Sequence, residues 1–414
     1  MSGATAAAAL QPRTSWPAIA AALAAGVVAA GYVGKLPPAL PALTSELNLS
    51  LVTAGWVVSA FNSIAVIAAV AFGLAADRLG AFRFALGGLG LLVIGGVAGA
   101  LAPSEGWLVA SRVVEGAGFL AATVSIAALI FSAAAPAERG LALGVWSSYM
   151  PFGMAVTMLI APALIARIGW RGLWLALVAA TVACAVALAS QRGRYRQPPP
   201  SGRTLAAIVA ALRQPGAWWV AGAMGAYAMQ WTAVMVWLPT FLVQTRGKPL
   251  ATAALFAAAV VAANVPGTLT GTWLLQRRVR RGPLICAAAL VMAATGAGIF
   301  SDAAPDWLRF TACFAFSSLS GVIPPAAFTS TQTYARSPSQ VASLQALIMQ
   351  VSNLGQLVGP PAVAAVVSAT GRWADALYVM LAAAVCVFAC GLAVGRYERR
   401  PLVAPRANGP QRIE

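Results

Sequence analysis

The chain has 414 residues, of which 60% are hydrophobic and only 9% charged, with a mean hydropathy of +0.81. Soluble domains carry roughly a quarter charged residues, so this composition excludes an aqueous globular fold and points to an all-helical membrane protein. The formal charge of +17 comes from basic residues set between apolar runs, which reads as loop charge and not as a nucleic-acid-binding face. Histidine is absent, which removes imidazole relays and most transition-metal sites. The five cysteines, at 184, 286, 313, 386 and 390, lie in apolar stretches without a CxxC pair, so no metal and no disulfide framework is predicted.

Hydropathy predicts a cytoplasmic N-tail over 1–16 and spans near 17–40, 51–72, 84–102, 106–132, 141–165 and 171–190. A basic, Pro-rich linker follows over 191–215. Six more spans are predicted near 216–242, 252–275, 283–301, 307–334, 341–368 and 374–395, then a cytoplasmic tail over 396–414. The first span is too long for a signal peptide and has no clear cleavage site, so it is kept as a helix. It closes on Tyr32-Val33-Gly34-Lys35 and then Leu40-Pro41. Lys35 can either snorkel outward or line a polar cavity beside Tyr32.

After the second span comes Gly73-Leu74-Ala75-Ala76-Asp77-Arg78-Leu79-Gly80-Ala81-Phe82-Arg83. Its glycines let helices approach, Asp77 can accept from a neighbouring helix N-terminus, and the arginines stay in water. The corresponding stretch of the second half, Gly271-Thr272-Trp273-Leu274-Leu275-Gln276-Arg277-Arg278, lacks the aspartate.

The fourth span carries Arg112-Val113-Val114-Glu115-Gly116-Ala117-Gly118. At about 1.5 Å per residue from Trp107, Arg112 lies about 8 Å and Glu115 about 12 Å into the membrane. Ionisable groups at such depth face a bundle interior or a watery path. At i and i+3 the two form either a structural ion pair or a site where Arg112 draws in an anion and Glu115 carries a coupling proton. Lys35 and Arg112, with Arg309 as a further candidate, predict a net positive outer vestibule, weakened by the neighbouring Glu105, Asp302 and Asp306.

The fifth span holds Trp146 and Tyr149 ahead of Pro151-Phe152-Gly153, and the seventh holds Tyr227, Gln230 and Trp231. Polar groups at mid-membrane need partners, and helices bent by proline offer a substrate or water freed carbonyls. In the eleventh span Gln350, Asn353, Gly355, Gln356, Gly359, Pro360 and Pro361 form a stripe read as glue between helices. Gly169-Trp170-Arg171 and Gly371-Arg372-Trp373 sit at matching corners, so the chain reads as two duplicated six-helix halves, 17–190 and 216–395, with a site between them near mid-membrane. Arginines concentrate in alternate loops and in the final tail, which predicts both termini on the cytoplasmic side.

The 73–83 loop resembles the signature of the major facilitator superfamily between helices two and three, and Arg112-x-x-x-Gly116-x-Gly118 is similar to a second signature of that superfamily. The resemblance covers essentially the whole chain. It implies twelve helices, alternating access, a monomer in a bacterial inner membrane and no cofactor. It also implies a cavity lined by helices one, four, seven and ten. Gly73, Asp77, Arg78, Gly80 and Arg83 would then stabilise the outward-facing state without touching substrate. Gly34-Lys35-Leu36-Pro37, the Arg112 helix and Asn353-Leu354-Gly355-Gln356-Leu357-Val358-Gly359-Pro360-Pro361 look similar to the cyanate/nitroimidazole branch. Trp146, Tyr149 and Pro151-Phe152-Gly153 resemble only part of the glycine-proline signature of drug/proton antiporters.

The resulting expectation is a secondary transporter of a small organic anion, coupled to protons, with Tyr32, Lys35, Arg112, Glu115, Tyr149, Tyr227, Gln230 and Trp231 at the substrate or coupling site. Efflux of a drug or toxic compound by proton antiport is the alternative, and a non-transporting sensor on the same fold is an alternative of another class. No phosphate-cradling GxxxxGK[ST] loop is present, and Glu115 is nearly alone among acids in the spans, so neither an ATPase nor an intramembrane enzyme is expected.

Overall fold

The computed structural model describes residues 13–195, 209, 212–301, 304–335 and 338–399. The tails and most of the expected 191–215 linker lie outside the described residues, as does Asp302. Apolar sequence in lipid must satisfy its own backbone, and the chain does so by forming helices almost throughout.

The first half runs α1 (Trp16–Gly34), α2 (Leu36–Glu46), α3 (Leu51–Ser59), α4 (Ser63–Leu79), α5 (Ala81–Ala100), α6 (Glu105–Ala133), α7 (Arg139–Trp146) and α8 (Tyr149–Ser190). The second half runs α9 (Pro215–Arg246), α10 (Leu250–Ala262), α11 (Asn264–Gln276), α12 (Arg281–Phe300), α13 (Asp306–Ser320), α14 (Ile323–Tyr334), α15 (Pro338–Thr370) and α16 (Ala376–Glu398). Among the described residues ten stretches are long and apolar enough to cross a membrane. One of them, Leu141–Ser190, contains two crossings, because α8 alone is 42 residues, about 63 Å at 1.5 Å per residue, twice the hydrocarbon thickness. The 33-residue α15 completes twelve.

Local breaks explain the division into shorter helices. Lys35 stays helical (φ −69°, ψ −28°) with its N–H on the Gly31 carbonyl, and Pro37 falls in the first turn of α2, where a missing N–H is tolerated. The first crossing therefore continues past Pro41 to Glu46 and does not end at Leu40-Pro41 as expected from sequence. α8 breaks at Gly169 (φ 70°, ψ 174°), a conformation that L side chains rarely adopt.

Among the described residues six have positive φ: Asn48, Gly80, Gly169, Gly247, Arg278 and Gly371. They fall at three matching pairs of corners, Asn48 with Gly247, Gly80 with Arg278, and Gly169 with Gly371. The backbone of the turns thus repeats where side chains have diverged.

Turns at Gly80, Glu138, Gln191, Arg277–Arg280 and Ala335 lie on one side of the molecule, here the linker side; the turns at 47–50, 101–104, 247–249 and 371–372 lie on the opposite side. One hydrophobic core joins the halves on the opposite side, packing Leu36, Leu40 and Leu43 of α2 with Val234, Leu238 and Phe241 of α9. A second core, Ala18 to Ala29 of α1 with Leu89, Ile126 and Leu129, draws on the first half alone and lies toward the linker side. The halves therefore share one core at the opposite end, which runs on through the second half, while the first half has a core of its own toward the linker side.

Candidate functional site

α6 carries Arg112 and Glu115 on one face, one turn apart, and the α1–α2 junction brings Lys35 to the same place. Lys35 Nζ donates to Glu115 Oε1 at 2.7 Å, and Arg112 Nη1 donates to Glu115 Oε2. All three side chains are essentially inaccessible to solvent. Arg112 also donates to backbone carbonyls at the break in the second crossing and in the first: Nε to Val57 at 3.3 Å and Nη1 to Tyr32 at 3.1 Å. Two cations share one carboxylate, leaving one surplus positive charge in a dry interior. Burying charge is costly unless it is paired and hydrogen-bonded, and here only the carboxylate is fully matched.

Aromatic faces take up part of that surplus. Lys35 Nζ lies 4.4 Å from the Tyr32 ring centre and 4.1 Å from that of Trp174, while the Arg112 guanidinium lies 4.5 Å from the Phe61 ring. Tyr32 is itself fixed by Thr181, oxygen to oxygen at 3.1 Å. The floor is α5, which has glycine where bulk would collide: a Cβ on Gly95 would lie 2.7 Å from Glu115 Cγ, and one on Gly96 would lie 3.1 Å from the Tyr32 hydroxyl. The approach of α6 to the second crossing is closer still, with a Cβ on Gly116 falling 1.9 Å from the Phe61 carbonyl oxygen. Hence Gly116 of the Arg-x-x-x-Gly-x-Gly pattern sets the distance at which Arg112 reaches its carbonyls.

A second, uncharged cluster lies in the other half. Asn264, at the break between α10 and α11, donates from Nδ2 to the Tyr227 hydroxyl at 3.2 Å and to the Ser317 carbonyl at 2.8 Å. Trp231 Nε1 donates to Ser317 Oγ at 3.3 Å. Gln230 is fully buried on the same helix, and neither of its amide atoms has a protein partner. An orphaned amide in a membrane interior is an unfilled hydrogen-bonding site.

The expected site residues thus separate into groups. Tyr32, Lys35, Arg112 and Glu115 come together; Tyr227 and Trp231 join through Asn264 and Ser317, with Gln230 beside them on α9. Tyr149 stands apart, stacked on Trp146 with ring centres 4.0 Å apart, and the Trp146 ring lies over Gly26 of α1. Arg309 does not join the triad: its guanidinium donates to the carbonyls of Ile299, Ser301 and Ala304 and so caps the end of α12. Glycine 73 is buried in α4, whereas Asp77, Arg78 and Arg83 are exposed around the turn at Gly80, on the linker side.

On α15 a Cβ at Gly355 would fall 2.0 Å from the Gly225 carbonyl oxygen, and one at Gly359 would fall 2.4 Å from that of Met229, so both seat α15 on α9. Pro360 has no N–H to give the Gln356 carbonyl, and Ser59 of the other half donates to it at 3.3 Å. Trp237 Nε1 in turn donates to the Pro360 carbonyl at 3.0 Å. Asn353 differs from the expectation of interhelical glue: it donates to Met349 of its own helix, because its side chain reaches a carbonyl one turn back first.

Sequence reasoning missed Trp174, Phe61, Thr181 and Asn264. For Asn264 a signal exists, an amide followed by Pro266 inside an apolar run. The other three are ordinary membrane residues whose role comes only from their neighbours. All five cysteines are free, and no metal-binding cluster occurs among the described residues.

Membrane-length helices packed about buried, paired charges define a multi-pass helical membrane protein. The sequence profile of the Major Facilitator Superfamily matches residues 18–360, and the chain belongs to that superfamily. A 162-residue stretch is 29% identical to an uncharacterised MFS-type transporter of Mycobacterium tuberculosis, covering 38% of this chain and 28% of that protein. A 137-residue stretch is 29% identical to the methylenomycin A resistance protein of Streptomyces coelicolor, covering 32% and 28%. The chain thus matches under a third of the length of these relatives. The inward-facing, unoccupied crystal structure of a bacterial homologue of the human lysosomal transporter Spinster superposes with a TM-score of 0.75 at 17% identity, over 92% of this chain and 98% of the other, a likeness of fold.

Proposed function

We propose that the chain is a proton-coupled secondary transporter of a small organic anion, working as a monomer by alternating access in a bacterial inner membrane. The observation that carries this reading is the carboxylate of Glu115 held between Lys35 at 2.7 Å and Arg112, with one cationic charge in excess. An anion beside the triad would neutralise that excess. An anion there and a proton on Glu115 favour each other, because each offsets the charge change that the other makes. This linkage is the requirement for symport. Gln230, Trp231 and Tyr227 would complete the site from the second half.

With both termini cytoplasmic, as the arginine bias supports, the linker side faces the cytoplasm. The core shared on the opposite side then corresponds to a closed outer gate and an inward-facing state, the state named for the Spinster homologue. Gly73, Asp77, Arg78, Gly80 and Arg83 would latch the linker side in the alternate state. The second reading, proton-driven efflux of a drug-like compound, is favoured by the resistance function named for the Streptomyces relative and by the stacked Trp146–Tyr149 pair.

Flux of labelled cyanate and small monocarboxylates into right-side-out and inverted vesicles, under pH gradients of either sign, tests the proposal. Accumulation down the proton gradient, lost in Lys35→Met, is expected. Equal anion flux in that variant would overturn the anion assignment. Expulsion of a lipophilic drug against the proton gradient, with no anion flux, would replace it with the second reading.

A further inference from the structure

A cavity of about 750 Å³ opens on the linker side of the second half, far from the charged triad, among the ends of α11, α12, α14 and α16. It is lined by Arg278, Arg280, Arg281 and Arg399 against the single acid Glu398. Arg281 pairs with Glu398 at 2.8 Å and leans on Thr329, so one arginine is neutralised and held in place. Arg278, Arg280 and Arg399 are exposed. Arg278 takes the positive φ (62°) that Gly80 takes at the matching corner of the first half, so the turn is kept while its residues have changed. Where that first-half loop carries Asp77, this one carries no acid and adds arginines. Tyr334 also lines the cavity, is 94% buried, and its hydroxyl has no hydrogen-bond partner.

Excess positive charge from three exposed arginines, beside one arginine held by Glu398, and an orphaned buried hydroxyl donor describe a receptor for a phosphate-type anion. Its depth says which kind. The walls are helix termini, at the level where a bilayer presents its headgroups, and Trp273 on the same turn is half exposed with Arg277 over its ring at 5.0 Å, as at an interfacial aromatic belt. We propose that this cavity binds the phosphodiester headgroup of an anionic phospholipid, held by Arg278, Arg280 and the Tyr334 hydroxyl. The site is independent of the substrate reading.

Purified full-length protein is titrated with phosphatidylglycerol, with phosphatidylcholine and with inorganic phosphate, and lipid retention is read by native mass spectrometry beside the thermal midpoint. Retention of phosphatidylglycerol with a raised midpoint is expected, with neither effect from the other two. An arginine facing an anionic headgroup is worth about a fivefold change in binding, so Arg278→Gln with Arg280→Gln should weaken retention about 25-fold. Tyr334→Phe, which removes one hydrogen bond to a charged group, should weaken it about tenfold. The exposed pair Arg192→Gln with Arg194→Gln on the same side should leave it unchanged. Equal loss in that control pair would mean diffuse surface attraction, saturation by phosphate alone would mean a soluble anion, and unchanged retention in the Arg278/Arg280 variant would mean a different site; each overturns the proposal.

Discussion

The two halves repeat one backbone plan and part company in electrostatics. At the heart of the first half two buried cations, Lys35 and Arg112, both donate to one buried carboxylate, Glu115. In the second half the central cluster offers hydroxyls, an indole and amides, Tyr227, Gln230, Trp231, Asn264 and Ser317, and the buried Arg309 is held by backbone carbonyls instead of a carboxylate. The contact between the second and fourth crossings of each half shows the same divergence on a shared plan. In the first half the small residue is Gly116 on the fourth crossing, against Phe61; in the second both crossings supply one, Gly267 on the eighth, where a Cβ would fall 1.6 Å from the Ser318 carbonyl oxygen, and Gly321 on the tenth, where one would fall 2.7 Å from that of Asn264. A glycine on the fourth or tenth crossing makes room in both halves, and the second half adds one on the facing crossing, so duplication preserves the close approach while the facing residues differ. Charge is different: a buried cation needs partners from its neighbours, which Glu115 supplies to Lys35 and Arg112 in the first half and backbone carbonyls supply to Arg309 in the second.

The largest effects come from the charged half. Glu115→Gln leaves two cations without a counter-charge and should destabilise the protein by about 3–5 kcal/mol, seen as a fall in thermal midpoint in detergent. Lys35→Met instead leaves the Arg112–Glu115 pair neutral overall and should keep the stability within about 1.5 kcal/mol of the parent, read from the thermal midpoint, while abolishing flux. If both variants lose stability equally, the surplus charge is structural and the contrast between the halves loses its functional meaning.

Gly116→Ala and Gly267→Ala probe the shared plan. Each new Cβ would meet backbone, so each should cost about 1–3 kcal/mol in stability. Only Gly116→Ala should also lower flux, because it moves Arg112 from the Val57 and Tyr32 carbonyls. A flux defect in both would show that helix spacing alone governs turnover.

The smallest effect lies at the opposite side of the first half. Glu46 accepts from Arg171 and from Trp170 Nε1 at 2.6 Å, and these bonds, the Arg171 one foremost, hold its carboxyl below the usual carboxylate range. A depressed folded-state value means that the contribution is present above the unfolded value, about 4.3, and is lost as pH falls through the folded one. The pair is nearly half exposed and screened, so Glu46→Gln should cost under about 1 kcal/mol at pH 7 and nothing once the carboxyl is protonated. Thermal midpoints of parent and variant across that range check it; a gap that widens in acid would reverse the sign.

Much of the architecture was legible before any coordinates. Long apolar runs must be helices in lipid, and arginine-rich breaks between them mark the ends, so twelve crossings follow from composition and period alone. The pairing of Arg112 with Glu115 was likewise readable, since residues one helical turn apart share a face. Only the tertiary structure brought Lys35 to the same carboxylate, placed Trp174 and Phe61 against the cations, and turned Arg309 away to cap α12. Those contacts depend on the rotation of each helix about its axis and on how closely small residues let neighbours approach, and hydropathy carries neither quantity. The shared core on one side and the first half's own core on the other have the same origin: which end of a symmetric pair of bundles closes is decided by packing between helices distant in sequence, to which any one segment is blind.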